Sequence, residues 1–150
     1  MTDYTGNVAG SVVNASAQRS DDGLGRWEIK KITFTAAAVG NQGTHNIITL
    51  PAKSVIAGGF FVITTSLVSD SNNGTIVFGA QEAMHATLTM DGTECVEGDT
   101  VYFSPNDVED AAGLNFYNTV ADTLDLTIAT NDATAGEIYL FVNIVDLYDE

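Results

Sequence analysis

Residues 59–68, GFFVITTSLV, carry apolar side chains at both odd and even positions. Gly58, Gly59 and the nearby Pro51 make a helix unfavourable here, whereas a strand accepts glycine at a bend or where another backbone comes close. A strand with one wet face alternates apolar and polar side chains, and this one does not. We therefore expect a central strand whose second face is covered, either by another sheet or by another subunit.

The rest of the chain also has the pattern of short strands. Residues 123–130, TLDLTIAT, alternate strictly, which is typical of a half-exposed antiparallel strand. Residues 137–145, EIYLFVNIV, are apolar on both faces and indicate a second central strand. Further strand-like segments follow one another between turn signals: HNIITL, TIVFGA, HATLTM, ECVEGD, TVYFSP and GLNFYNT.

Helical periodicity is nearly absent, with residues 106–114 as the one short candidate. Eight or nine strands without helices predict an all-β chain, an antiparallel β-sandwich with a jelly roll as the expected topology. Residues 1–25 are rich in small and polar side chains without an apolar period, so we expect an extended N-terminal arm followed by a sandwich domain over residues 26–150.

The first strand contains a break in its pattern. In residues 27–35, WEIKKITFT, Trp27 and Ile29 share one face, while Ile32 and Phe34 are out of phase with them. A β-bulge at the two intervening lysines would direct both pairs to the core, and this is the expected arrangement.

Charge is distributed unevenly along the 150 residues, which carry a net charge of −15. All five basic residues fall within the first 53 positions. The 97 residues after position 53 contain sixteen acids and no lysine or arginine. A polyanion needs a lysine or arginine footprint, so we expect no nucleic-acid partner. The acidity is consistent with a solubility device, a high-salt adaptation or a functional polarity. The single cysteine, Cys95, excludes an internal disulfide.

The N-terminus has no basic segment followed by an apolar core, and no run reaches the length of a membrane span. We expect a soluble chain that is made in the cytoplasm and has no membrane partner.

The sequence contains no specific catalytic or metal-binding motif. His45 and His85 are the only histidines, and no third ligand or catalytic partner stands out. Residues 70–75, DSNNGT, lack the ligand spacing of a calcium loop and predict a turn. The acids at 107–110 are typical of a solvated loop. We therefore predict no enzyme activity, no metal and no cofactor.

The segments ITFTAAAV, NIITLPAKSVIAGG, FFVITTSLV and GTIVFGA, taken in this order, resemble the capsid decoration (cement) proteins of tailed bacteriophages. The likeness covers residues 30–80, with a looser match through EGDTVYF and EIYLFVNIV. It implies a non-enzymatic virion structural protein, a homotrimer on the outer capsid surface that clamps neighbouring major capsid subunits. The chain departs from many such proteins in its longer, polar arm.

Two sets of residues are candidates under this resemblance. The expected capsid contacts are the basic residues Arg19, Arg26, Lys30 and Lys31. The expected self-association contacts lie on the two doubly apolar strands: Phe61, Ile63, Tyr139 and Phe141.

Two other classes of function remain open, because a fold does not settle function. A carbohydrate- or receptor-binding module, such as a fibre tip, would line up exposed aromatics; the candidates are Trp27, Tyr102, Phe103, Phe116 and Tyr117. A small hydrolase or cupin-like enzyme would need a convergent metal or acid–base set, which the sequence does not display.

Overall fold

The computed structural model describes residues 25–35, 39–80, 83–103 and 117–147. Within them lie nine strands: β1 (Arg26–Thr33), β2 (Gly43–Leu50), β3 (Ser54–Ser69), β4 (Thr75–Gly79), β5 (Leu88–Thr89), β6 (Thr100–Tyr102), β7 (Tyr117–Asn118), β8 (Asp122–Ala129) and β9 (Ala133–Asp146). The helical structure in these ranges is a single 3₁₀ turn, Asp70–Asn72. The prediction of an all-β chain is confirmed, and the 3₁₀ turn lies where DSNNGT predicted a turn.

The strands form two antiparallel sheets packed face to face. One has the order β1-β9-β3-β6, with β7 also pairing with β3, and the other has the order β2-β8-β4-β5. The pairs are nested along the chain, first with last, since β1 pairs with β9, β2 with β8, β3 with β6 and β4 with β5. Pairing of β9 with β3 and of β8 with β4 completes each sheet. This wrapped ladder is the jelly roll that the sequence predicts.

The core lies between the two sheets and follows the period-2 alternation of the strands. In β8, Leu124, Leu126 and Ile128 point inward and are at most 1% exposed. The largest fully buried side chains include Phe34, Phe61, Phe78, Leu50, Ile56, Ile63, Leu67, Met84 and Met90. Burial of such side chains contributes roughly 1.5–3 kcal/mol each, so this interior is the main stabilising element.

The two doubly apolar strands are central, as predicted. β9 lies between β1 and β3, and β3 lies between β9 and β6. Their shared ladder extends from the Ser54–Asp146 pair to the Ser69–Ala133 pair. The inner face of both strands is covered by the second sheet of the same chain.

The glycines in β3 have distinct roles. The register with β9 shifts between Ile56 and Gly58, so the strand bends there. A Cβ atom at Gly59 would lie 2.6 Å from the ring of Phe103, which is closer than side-chain atoms approach. Glycine at 59 is therefore required by the close approach of the Phe103 side chain as well as by the neighbouring backbone, whose Phe141 carbonyl oxygen would lie 2.8 Å from the same Cβ.

The structure corrects half of the predicted self-association set. Phe61 and Ile63 are 0% exposed and pack in the core. A side chain without exposed surface in the single chain cannot contact a second copy unless the sandwich opens. The second sheet of the same chain covers the face that carries these two residues, so Phe61 and Ile63 are core residues.

The predicted bulge in β1 is wrong. β1 pairs with β9 in continuous register from Arg26–Ile144 to Thr33–Glu137. Because no residue is inserted, Trp27 and Ile29 lie on the opposite face from the buried Ile32 and Phe34. The apolar residues at the start of β1 therefore belong to the outer surface of the sheet.

Two other predicted strands are shorter than expected or absent. Within HATLTM only Leu88–Thr89 is extended, and residues 94–99, ECVEGD, form turns instead of a strand. The Asp91 carboxylate accepts hydrogen bonds from the backbone N–H of Thr93 and of Glu94, which bends the chain at the predicted Asp91-Gly92 turn. The helix candidate 106–114 lies outside the described residues.

We expect Phe61→Ala to lower the free energy of unfolding by about 3–5 kcal/mol, because it leaves a cavity between the sheets. Val120→Ala is the control, since Val120 is 66% exposed between β7 and β8 and its truncation should change stability by less than about 0.5 kcal/mol. Urea unfolding monitored by circular dichroism measures both. Similar losses for the two variants would contradict the assignment of Phe61 to the core.

Candidate interaction surface

The outer face of the β1-β9-β3-β6 sheet carries an exposed apolar row. Ile29 on β1, Phe141 on β9, Phe60 on β3 and Tyr102 on β6 are successive cross-strand partners. Trp27 lies on the same face, two residues before Ile29. Trp27, Ile29 and Tyr102 are 53%, 57% and 64% exposed, respectively. These five residues, Trp27, Ile29, Phe60, Tyr102 and Phe141, are called the aromatic surface below.

The aromatic rings of this surface pack against one another. Phe60 is at the centre and stacks on Phe141, with a centroid distance of 4.7 Å and an interplanar angle of 15°. Trp27 meets Phe60 edge-on at 6.2 Å, and Tyr102 lies at 5.7 Å with a tilt of 44°. Such ring pairs hold one another in place. The result is a cohesive apolar patch and not a set of isolated exposed rings.

The next row on the same face is mixed in character. Lys31, Tyr139, Val62 and Thr100 are successive cross-strand partners, and Tyr139 is half-buried. Beyond this row the face becomes polar, with a shallow groove of about 310 Å³ lined mainly by Thr33, Thr35, Thr65, Thr134 and Glu137. The outer face thus changes from apolar to polar along the strands.

Glu137 closes the polar end of this face through two partners. The Thr64 hydroxyl donates to its Oε1 at 2.8 Å, and the Lys31 ammonium lies 3.3 Å from its Oε2. The hydrogen bond from Thr64, followed by the contact with Lys31, lowers the pKa of Glu137. The same carboxylate, by accepting a hydrogen bond from Lys31, raises the pKa of that lysine.

The lowered pKa of Glu137 predicts a pH effect on stability. A depressed carboxyl pKa adds stability above the unfolded value of about 4.3, and this is lost as pH falls through the folded value. We expect Glu137→Gln to be less stable than the parent chain at pH 7 and to lose less stability on acidification below pH 4. Urea midpoints at pH 7, 4 and 3 measure this. Parallel pH curves for the two chains would contradict it.

The outer face of the other sheet is polar. Thr123, Asp125 and Thr127 alternate with the core residues of β8, and the Thr123 hydroxyl donates to Asp125 at 2.6 Å. Thr44 on β2 lies 3.4 Å from Thr127, hydroxyl to hydroxyl. The two outer faces of the sandwich therefore differ, since one is aromatic and the other consists largely of threonine and aspartate.

The predicted basic capsid contacts do not form one free patch. Arg26 makes ion pairs with Asp146 at 2.7 Å and with Glu28 at 3.3 Å. Lys31 is paired with Glu137, whereas Lys30 is exposed and makes no ion pair within the described ranges. Arg19 lies outside the described residues. Lysines on an edge strand also discourage pairing with foreign strands, and β1 is such an edge.

Among the residues that the structure describes, neither histidine joins a cluster that could hold a metal ion. His85 is 1% exposed; its Nε2 accepts a hydrogen bond from the Phe78 backbone N–H at 2.9 Å, and its Nδ1 lies 2.7 Å from the Ala86 carbonyl. These contacts assign His85 a structural role in the core. The ring of His45 contacts the Asn41 carbonyl at 2.7 Å.

Two further observations concern metal and thiol chemistry. Among the described residues, no three His, Cys, Asp or Glu side chains come together in a way that could hold a metal ion. Burial raises the pKa of the Cys95 thiol to about 12, and the nearby carboxylates of Glu94, Asp91 and Asp99 add to the effect. Cys95 is therefore an unreactive core side chain near neutral pH. The acids at 107–110 lie outside the described residues.

In the part of the chain that the structure covers, no helix has the length and apolar character needed to cross a bilayer.

Part of the aromatic surface is predictable from the sequence. Phe141 is an expected self-association contact, and Trp27 and Tyr102 are candidate exposed aromatics. Phe103 is in the core, and the side chains of Phe116 and Tyr117 lie outside the described residues. Phe60 and Ile29 were missed, although uninterrupted alternation through β1 would have placed Ile29 outside.

Comparison with known proteins gives matches of fold and not of sequence. No family model matches the chain, and no curated protein does. A chain in the capsid of Ralstonia phage GP4 is similar in structure, with a TM-score of 0.59 and 14% identity over 85% of this chain and 87% of that one.

Two other phage capsids contain chains with a similar fold. One is the acid-stable capsid of Helicobacter pylori bacteriophage KHP30, with a TM-score of 0.53 and 10% identity over 82% of this chain and 94% of that one. The other is the capsid of cyanophage Pam1, with a TM-score of 0.50 and 14% identity over 83% and 89%. In each of the three cases the similarity covers more than four fifths of both chains.

Proposed function

We propose that this protein is a non-enzymatic virion structural protein that decorates the outer surface of an icosahedral phage capsid. In this role it clamps neighbouring major capsid subunits and acts as a homotrimer. The single observation that carries the proposal is the likeness of its jelly roll, over more than four fifths of each chain, to chains from three phage capsids. Since fold alone does not assign function, the surface of the sandwich has to supply the second line of support.

The aromatic surface supplies that support, because it is suited to contact with protein. A chain with a net charge of −15 repels its own copies, so association needs a surface with little negative charge and much apolar area. The aromatic surface contains no acidic side chain. We propose that Phe141 and the adjacent Tyr139 act in self-association, together with Phe60, Trp27 and Tyr102. Aromatic side chains are enriched at the centres of such interfaces.

Capsid contact is assigned in this proposal to the basic start of the chain. Arg19, Arg26, Lys30 and Lys31 are the proposed contact residues, and the expected partner is an acidic patch on the major capsid protein. Lys30 is the strongest of them, since its ammonium is exposed and makes no ion pair within the described ranges. Arg26 and Lys31 would have to exchange Asp146 and Glu137 for partners on the capsid.

A carbohydrate- or receptor-binding module is the second candidate, favoured by the exposure of Trp27 and Tyr102. Sugar platforms present ring faces to the ligand. Here Phe60 and Phe141 stack on each other, so the facing sides of the two rings are already occupied. This geometry favours a protein partner over a glycan, and a glycan screen that returned a specific ligand would reverse the order.

Static light scattering near neutral pH and moderate salt tests self-association. We expect the mass of a trimer for the parent chain and a lower mass for Phe141→Ser, which removes part of the aromatic surface. Val77→Ser is the matched control, because Val77 lies on the other sheet and is likewise half-buried. A monomeric parent chain, or equal masses for both variants, would contradict this part of the proposal.

Co-sedimentation with empty heads assembled from the cognate major capsid protein tests decoration. We expect the parent chain to bind and Lys30→Glu to bind about fivefold more weakly, since an exposed ion pair contributes up to about 1 kcal/mol. Lys53→Glu makes the same charge change in the turn between β2 and β3 and should bind as the parent does. No binding by the parent chain would refute decoration, whereas an equal loss in both variants would indicate a nonspecific charge effect.

A further inference from the structure

We infer that the aromatic surface of each copy is covered by the N-terminal segment, residues 1–24, of a neighbouring copy. This inference rests on the homotrimer in the proposed function and names the occupant of its self-association surface. The exchange would be heterologous, each segment reaching the next subunit, and such contacts close into a ring when the rotation between subunits allows it.

The route of the chain at the start of β1 supports a neighbour as the recipient. Arg26 pairs with Ile144, and β1 then runs towards Ile29, which pairs with Phe141 in the aromatic row. Gly25 lies beside Asn143 and Val145, on the side of Arg26 away from that row. At Gly25 the backbone is therefore directed towards the end of the sheet and away from the aromatic row, and a segment continuing in that direction would have to reverse to cover its own aromatic surface.

The length of the segment is sufficient to reach another subunit. Twenty-four residues span up to roughly 80 Å when extended. The four strands that carry the aromatic row are about 14 Å wide from first to last, as three interstrand spacings of about 4.8 Å. A neighbour's aromatic surface is thus within reach, with residues left over to cross the gap between subunits.

The composition of the segment matches the surface. Residues 1–18 carry one charged side chain, Asp3, in a chain that has twenty acids in total. The most apolar stretch is residues 8–13, VAGSVV, whose valines are β-branched and suited to an extended conformation. A nearly uncharged, valine-bearing segment can approach the aromatic surface of another acidic subunit without the repulsion that two acidic bodies would meet.

Trp27 provides a direct optical test, because it is the single tryptophan of the chain and belongs to the aromatic surface. When an exposed indole is covered by apolar groups, its emission moves to shorter wavelength. We would prepare the full-length variants Val12→Ser/Val13→Ser and Trp27→Phe. The double variant Ala15→Ser/Ala17→Ser is the matched control, since it adds two hydroxyls to the same segment outside residues 8–13.

The decisive experiment mixes two full-length variants and excites only tryptophan. In the mixture of Val12→Ser/Val13→Ser with Trp27→Phe, tryptophan is present only on the Val12→Ser/Val13→Ser chains, whose own N-terminal segment is impaired. We expect their emission to shift to shorter wavelength on mixing, because the Trp27→Phe chains supply an intact segment. Circular dichroism before mixing establishes that both variants are folded. No shift on mixing, while the parent chain is a trimer, would overturn the inference and leave the homotrimer intact.

Light scattering on the separate variants distinguishes the remaining outcomes. We expect Val12→Ser/Val13→Ser to have a lower mass than the parent chain and emission at longer wavelength, with Ala15→Ser/Ala17→Ser resembling the parent. A trimer with unchanged emission in the valine variant would assign the covering to the body of a second copy and overturn the inference. If the parent chain is a monomer and the valine variant emits at longer wavelength than the parent, the aromatic surface is covered by the chain's own segment. That outcome also overturns the inference.

Discussion

The antiparallel ladder between β3 and β9 is the interaction on which the rest of the structure depends. These are the two longest strands, with 16 and 14 residues, and they lie side by side in the centre of one sheet. β1 pairs with the outer edge of β9, and β6 and β7 pair with the outer edge of β3. One ladder therefore positions every strand of this sheet, and through its inner side chains it also positions the facing sheet.

The register of this ladder decides both the core and the aromatic surface. Phe60 and Phe61 are adjacent in sequence, yet Phe61 is fully buried while Phe60 joins the outer aromatic row. A slip of one residue would exchange their faces, because side chains alternate along a strand. Gly59 opposes such a slip, since any other side chain there would collide with Phe103. The apolar surface and the stable interior are thus two products of the same pairing.

The sequence predicted the all-β sandwich because strand signals are local. Double apolarity in β3 and β9 predicted two central strands, and strict alternation in β8 predicted a strand with one face in the core, as the sheets confirm. The failure in β1 has a definite cause, namely the assumption that Trp27 and Ile29 must point to the core. Large apolar side chains are usually buried, but an outward pair is tolerated where neighbouring strands offer apolar partners. Here the partners are Phe60 and Phe141.

The aromatic surface could not be predicted from the sequence as a unit, because its members come from four strands between residues 27 and 141. Only the pairing register brings them into one row, and register depends on contacts between distant parts of the chain. Tyr139 and Phe141 were identified correctly as positions on a doubly apolar strand, but their neighbours were not. The predictions for the arm, including Arg19, concern residues outside the described ranges and stay predictions.

The two outer faces also explain how so acidic a chain can associate. Packed sheets are about 10 Å apart, and the Debye length at physiological ionic strength is about 8 Å. Asp125, on the outer face of the opposite sheet, is therefore largely screened from a partner that docks on the aromatic surface. On the aromatic side, Glu137 lies on β9 two rows beyond Phe141, and its charge is balanced by Lys31 at 3.3 Å. Apolar contact can thus operate on this face at physiological salt, whereas association should weaken at low ionic strength, where the acidic groups of both copies repel across the sandwich.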